Sequence, residues 1–154
     1  MKPSDLQGKS FWGFKYALCG LWYAIKKESH FRFHICAAIG TFMFTEYFNL
    51  KDYEYIFLVL TYALVLICEL INTAIENVVD LCTKEYRLNA KVAKDVSAGF
   101  VLLSAFFALF VAAMIFLRKE LPMYLADTLT RPKYIIFYIL TILFVRGRKN
   151  GKYI

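Results

Sequence analysis

Residues 55–79 form an apolar run long enough to cross a bilayer, yet the run carries Glu69, Asn72 and Glu76 and ends beside Asp80. At the 100° advance per residue of an α-helix, Asn72, Thr73, Glu76 and Asp80 all fall within about 60° of Glu69, so these polar groups share one stripe. A carboxylate at membrane depth is costly, and such groups usually face a bundle interior and mark an ion, proton or catalytic site. A second charged pair, Lys94 and Asp95, opens the next apolar run, 98–117. Acidic groups facing a lysine at a membrane boundary suit a charged ligand held between metal and ammonium.

The rest of the composition agrees with a membrane setting. The 154 residues are 60% hydrophobic with a mean hydropathy of +0.50, too apolar for an ordinary soluble domain and of a length for one domain. A polytopic, all-α membrane protein is expected. The formal charge of +7 would invite a nucleic-acid partner, but the basic residues sit beside apolar runs rather than along one solvated face. Attraction to anionic lipid and the positive-inside rule account for that placement, and no nucleic-acid role is expected. Cys19, Cys36, Cys68 and Cys82 have no metal-type spacing and read as small core residues in a reducing compartment. The basic start leads into an amphipathic stretch rather than a cleavable leader, so the chain is expected to begin near Met1.

Taken in order, residues 10–27 alternate aromatic and aliphatic side chains with Lys15 and Lys26 on one face, as in a helix lying in the interface. Gly8, Lys9 and Ser10 mimic the end of a phosphate loop, but Pro3 stands where its first glycine belongs. Glu28 lies four residues before Arg32, a spacing that suits either a surface ion pair or a free ligand carboxylate. The first span is 33–50, with His34 a boundary or core histidine, since a zinc pair with His30 would lack further ligands. The second is 55–79 and the third 98–117, where Ser104, Ala108 and Ala112 recur every four residues and allow close packing. Residues 81–94 are rich in Lys and Arg, which puts them on the cytoplasmic side. Residues 134–145 are apolar but only about 18 Å long as helix, fitting either a tilted fourth span or an interfacial segment. The expected division is a membrane domain over residues 1–120 and an extension over 121–154.

If Glu28, Glu69, Glu76, Lys94 and Asp95 meet at the cytoplasmic interface, a specific chemistry follows. Glu28 and Glu76 would hold Mg²⁺, which takes a few carboxylates and keeps water and phosphate oxygens. Lys94 would neutralise a transferring phosphoryl group. Glu69, about 10 Å deeper along the helix than Glu76, would act as base for a lipid hydroxyl. ATP-dependent phosphorylation of a membrane alcohol is the activity this constellation supports. A small cation- or proton-coupled transporter using Glu69 and Glu76 is the alternative, and a structural subunit would leave the carboxylates without purpose.

The stretch ELINTAIENVVD (69–80), followed by AKDVSAG (93–99) and preceded by FKYALCGLWYAIKKESHFRFH (14–34), resembles the small prokaryotic diacylglycerol kinase and undecaprenol kinase family over residues 11–117. The resemblance implies an amphipathic surface helix plus three transmembrane helices, a homotrimer with composite sites, and MgATP as donor. It places the family's base, at the lipid hydroxyl, on Glu69, with Asn72 one turn away. The metal- and nucleotide-binding carboxylates fall on Glu28 and Glu76, and the nucleotide contacts on Lys94, Asp95, Tyr16 and Glu85. Arg87 stands where relatives commonly have histidine, keeping a cation. The FRFH boundary looks closer to the undecaprenol branch. A bacterial inner-membrane protein with its site on the cytoplasmic side is implied, and the extension from residue 121 has no counterpart and no role beyond membrane contact.

Overall fold

The computed structural model describes residues 9–117 and 131–146, and within them every regular element is helical. Five α-helices follow one another: α1 (Lys9–Lys27), α2 (Ser29–Phe44), α3 (Asp52–Cys82), α4 (Leu88–Phe116) and α5 (Pro132–Arg146), with a 3₁₀ turn, Thr45–Tyr47, after α2. Residues 118–130, which include the expected domain boundary, and the basic tail 147–154 lie outside the described residues.

α3 and α4 form the long antiparallel hairpin of the fold, about 46 and 44 Å at 1.5 Å per residue. Both are long and apolar enough to cross a membrane, and only 22% of each apolar window is covered within the chain. A core helix of a soluble protein would be mostly covered, so these faces require lipid or another subunit. Ser104 and Ala108 are buried where α4 meets α3, as their spacing predicts. Midway, Thr41 of α2 and Tyr62 of α3 share a 2.5 Å hydroxyl contact, a polar tie between helices.

Element boundaries depart from the apolar runs in two places. The first run continues to residue 50, but α2 stops at Phe44. Thr45 returns its hydroxyl to the Phe42 carbonyl at 2.6 Å, and its N–H goes to Phe42 and Thr41, tightening the chain into 3₁₀ geometry. Phe48 and Leu50 then fold inward against Leu58, Ile115 and Phe116, and the Phe44, Phe48 and Phe116 rings meet at 5.0–5.5 Å. α4 starts ten residues before its apolar run, because its first turns carry Lys91, Lys94 and Asp95 on a helix that hydropathy does not register. At the start of α3, the Lys51 N–H donates to Glu54 Oε2 at 2.8 Å, closing the exposed helix end.

α5 lies along α2. Tyr134 is buried and donates its hydroxyl to the Met43 carbonyl at 3.1 Å, and Lys133 pairs with Glu46 at 2.6 Å. Gly40 provides the close approach: a Cβ there would stand 3.0 Å from Cε1 of Phe137. Gly40→Val therefore should push α5 away and destabilise the fold by about 1–3 kcal/mol, measured by thermal unfolding in detergent, with α5 becoming protease-sensitive first.

Candidate functional site

Polar groups collect at the end of the molecule where α1 meets α2 and α3 meets α4. α1 ends at Lys27, Glu28 alone takes an extended backbone (φ −94°, ψ 113°), and α2 begins at Ser29. That single residue makes an elbow between the two helices and leaves the Glu28 side chain half-buried there. Tyr23 donates to Oδ1 of Asn77 at 3.1 Å and receives Lys27 Nζ at 2.7 Å, tying the end of α1 to α3 beside Glu76. The Tyr23 hydroxyl raises the pKa of Lys27.

The deep part of the α3 stripe faces inward at Glu69 and Thr73, Asn72 and Glu76 are half-buried, and Asp80 at its end is exposed. Glu69 is buried, 4% exposed, with its Oε1 3.4 Å from Nε2 of His34 on α2. One turn on, Asn72 donates to Oε1 of Glu76 at 3.1 Å and accepts from the Ser97 hydroxyl at 2.6 Å, which also reaches the Lys94 carbonyl at 2.9 Å. Asn72 thus orients Glu76 while Ser97 fixes Asn72. A further turn along, Asp80 accepts from Lys94 Nζ at 2.5 Å. The ladder runs from a dry carboxylate to a wet ion pair along a single helix face.

Burial pushes the Glu28 carboxyl above its ordinary value, and the charges of Glu76 and Glu69 push it further, against the lowering influence of Lys27. Glu28 therefore lies within electrostatic reach of the like charges of Glu76 and Glu69. The Glu28–Arg32 ion pair considered from spacing does not form, because the guanidinium goes to backbone carbonyls instead. Among the described residues no three His, Cys, Asp or Glu side chains cluster tightly enough for a closed metal cage. Two opposed carboxylates at a water-facing edge fit a hard ion that keeps its own waters and phosphate oxygens, as Mg²⁺ does.

Asp80, Glu85, Arg87, Lys91, Lys94 and Asp95 line an open cleft of about 640 Å³ at the α3–α4 turn. Arg87 and Glu85 approach each other at 3.5 Å on its exposed rim. The sequence-predicted residues thus fall into a carboxylate cluster (Glu28, Glu69, Asn72, Glu76) and an adjoining cleft (Glu85, Arg87, Lys94, Asp95). Tyr16 joins neither within the chain. It stands exposed on α1, about 18 Å along the helix from Glu28. His34, Ser97 and Asp80 were not selected from sequence. Asp80 was visible on the stripe, whereas His34 and Ser97 had no periodic signal pairing them with α3.

A helical membrane protein with carboxylates stacked toward a cationic cleft is the class this arrangement defines. The family model for prokaryotic diacylglycerol kinase matches residues 15–116, and the chain belongs to that family of small lipid kinases. It is 39% identical over 105 residues to the diacylglycerol kinase of Synechocystis sp., covering 68% of this chain and 60% of that protein's length. It is 35% identical over 109 residues to the undecaprenol kinase of Bacillus subtilis, covering 71% of this chain and 89% of that one. A transporter role for Glu69 and Glu76 finds no support in these relatives. α5 lies beyond the matched region.

The raised Glu28 carboxyl gives a stability prediction. Its contribution favours the fold below the ordinary value of 4.5 and is lost as pH rises through the higher folded value. At neutral pH without divalent ions, Glu28→Gln should melt slightly higher than wild type, by less than about 1 kcal/mol because the site opens to water. The gap should close at acid pH. A variant that melts lower at neutral pH would show that Glu28 is not held against like charge.

Proposed function

We propose that the protein transfers the γ-phosphoryl group of ATP to the hydroxyl of a membrane lipid alcohol, giving the lipid monophosphate and ADP, with undecaprenol favoured as acceptor and diacylglycerol the other candidate. The single observation that carries this is the inward ladder from buried Glu69, through Asn72 and Glu76, to the cleft at Lys94. It aligns a lipid-depth base with a water-facing anion site on one helix face.

In this scheme Glu69 takes the proton from the lipid hydroxyl as its oxygen bonds to the γ-phosphorus and the bond to ADP breaks. His34, with Nε2 3.4 Å from Oε1, would hold the carboxylate in place. Glu28 and Glu76 are the residues that would hold Mg²⁺, which supplies charge neutralisation on the phosphates. Asn72, itself held by Ser97, keeps the Glu76 carboxylate oriented. Lys94, Asp95, Glu85 and Arg87 receive the nucleotide, with Lys94 exchanging Asp80 for phosphate oxygens. The reaction positions groups that are already charged, so orientation and charge neutralisation supply most of the rate.

The uncovered apolar faces of α3 and α4 and the distance of Tyr16 from the cluster support a homotrimer, in which Tyr16 would serve a neighbour's site. α1, with exposed Phe14, Leu18, Leu21 and Trp22, would lie at the cytoplasmic surface of a bacterial inner membrane, and α2, α3 and α4 would cross it. The FRFH boundary favours undecaprenol, while an apolar groove with few polar contacts discriminates poorly between lipids.

Transfer from labelled MgATP to undecaprenol and to diacylglycerol in mixed micelles tests the proposal. Glu69→Gln should keep the fold and nucleotide binding but lose at least about 100-fold in turnover. Wild-type rates in that variant would remove Glu69 from the base role. Glu76→Gln should lose activity with partial recovery at high Mg²⁺, and an unchanged metal dependence would count against the ligand assignment.

A further inference from the structure

α5 and α2 meet in strict antiparallel register. Tyr134 meets Met43, and Phe137, three residues on, meets Gly40, three residues back. Val145, eight further on, meets Arg32, eight further back, through its carbonyl and Nη2 at 3.1 Å. The two helices therefore cover the same depth. Arg32 is 5% exposed, and its Nη1 also donates to the carbonyls of Ile25 and Lys26 at 2.9 and 3.1 Å. These are among the last carbonyls of α1, which have no partner within their own helix. The Glu28 N–H takes the Ala24 carbonyl at 2.9 Å, and the Glu28 carbonyl accepts from the Arg32 N–H at 3.3 Å. One buried guanidinium thus closes the ends of both α1 and α5 and brackets Glu28, and with Nε buried and unpartnered it depends on those three carbonyls.

We infer that α5 crosses the membrane as a fourth span antiparallel to α2, and that through Arg32 it braces the elbow that carries Glu28, making Arg32 a positioning residue for the phosphoryl-transfer site. The second half of this rests on the proposed role of Glu28. The route of the chain agrees: α4 ends at the aromatic cluster beside the end of α2, and α5 returns from that end toward the elbow. At about 22 Å α5 is short, but Lys133 and Arg146 at its ends can extend to the headgroups. Arg146 then falls on the side already rich in Lys and Arg.

The crossing is tested by epitopes inserted before Lys9 and after Arg146 in sealed spheroplasts. Protection of both from outside is expected, and exposure of the second alone would overturn the fourth span. The brace is tested without turnover, by the Mg²⁺ concentration that half-maximally raises the melting temperature in detergent without ATP. Arg32→Gln should need roughly tenfold more Mg²⁺, as removal of a supporting partner does at metal sites. Arg32→Lys should recover part of this, and a chain ending at residue 130 should need a few-fold more. The combined variant should be no worse than Arg32→Gln alone, since both lesions remove one linkage. Multiplied effects, or a truncation with no effect, would overturn the brace. Glu28→Gln should abolish the Mg²⁺ response. If it does not, the metal assignment fails, and the brace stands or falls on whether the melting temperatures of the two lesions still fail to add.

Discussion

A carboxylate excluded from water is the constraint around which the helices arrange themselves. Moving an isolated carboxylate into an apolar interior is prohibitive, and only close partners make it tolerable. Glu69 has such a partner in His34, which fixes α2 against α3 at that level. The same stripe then dictates which face α3 offers to α4, because Asn72 must find Ser97. Helix packing in lipid gains nothing from hydrophobicity between helices, so polar ties of this kind, together with small residues such as Ser104 and Ala108, set the register. The far end of the molecule solves its packing by contrast with aromatic rings, Phe44, Phe48 and Phe116.

The elbow at Glu28 shows why backbone accounting matters as much as side-chain charge. Two helix ends, those of α1 and α5, come together beside an acidic site, and their orphan carbonyls add partial negative charge where negative charge is already concentrated. Arg32 offsets that charge without neutralising Glu28 itself. Had the guanidinium paired with Glu28, as i,i+4 spacing permits, the carboxylate would no longer be available to a cation. The competition is won by the carbonyls because three of them converge on one buried head group.

Much of this was legible in the sequence where periodicity and hydropathy speak. The helix over α1, the buried start of the α3 stripe at Glu69 and Thr73, and Ser104 and Ala108 of the small-residue seam on α4 follow from spacing, and the structure has the helices and the buried residues there. Ends of elements were less legible, since the turn at Thr45 depends on a local hydroxyl and the early start of α4 on charged residues that hydropathy discards. Apart from the acidic stripe facing Lys94, specific pairings between helices were not legible. His34 with Glu69, Ser97 with Asn72 and Arg32 with Val145 join residues 35, 25 and 113 positions apart, and no local pattern encodes such pairs. The length of α5 left its path open, and its register against α2 supplied the missing constraint.

The ion pair between Lys94 and Asp80 shows how the site can be ordered and still responsive. At 2.5 Å the contact is close, yet the side chains are 37% and 66% exposed. Exposed pairs contribute only about 0–1 kcal/mol, so exchanging Asp80 for another anion has a small cost. What the pair supplies is geometry: it holds a flexible lysine extended over the cleft, with its backbone carbonyl occupied by Ser97. In the proposed reaction a phosphate arriving there would meet an ammonium already in position, and Asp80 would be released into water rather than into lipid. The deeper members of the ladder have no such outlet. Burial deepens along the ladder from the exposed Lys94–Asp80 pair to Glu69 at 4% exposure, while the contact lengthens from 2.5 Å to 3.4 Å, so the deep carboxylate is held by its surroundings more than by a short ion pair.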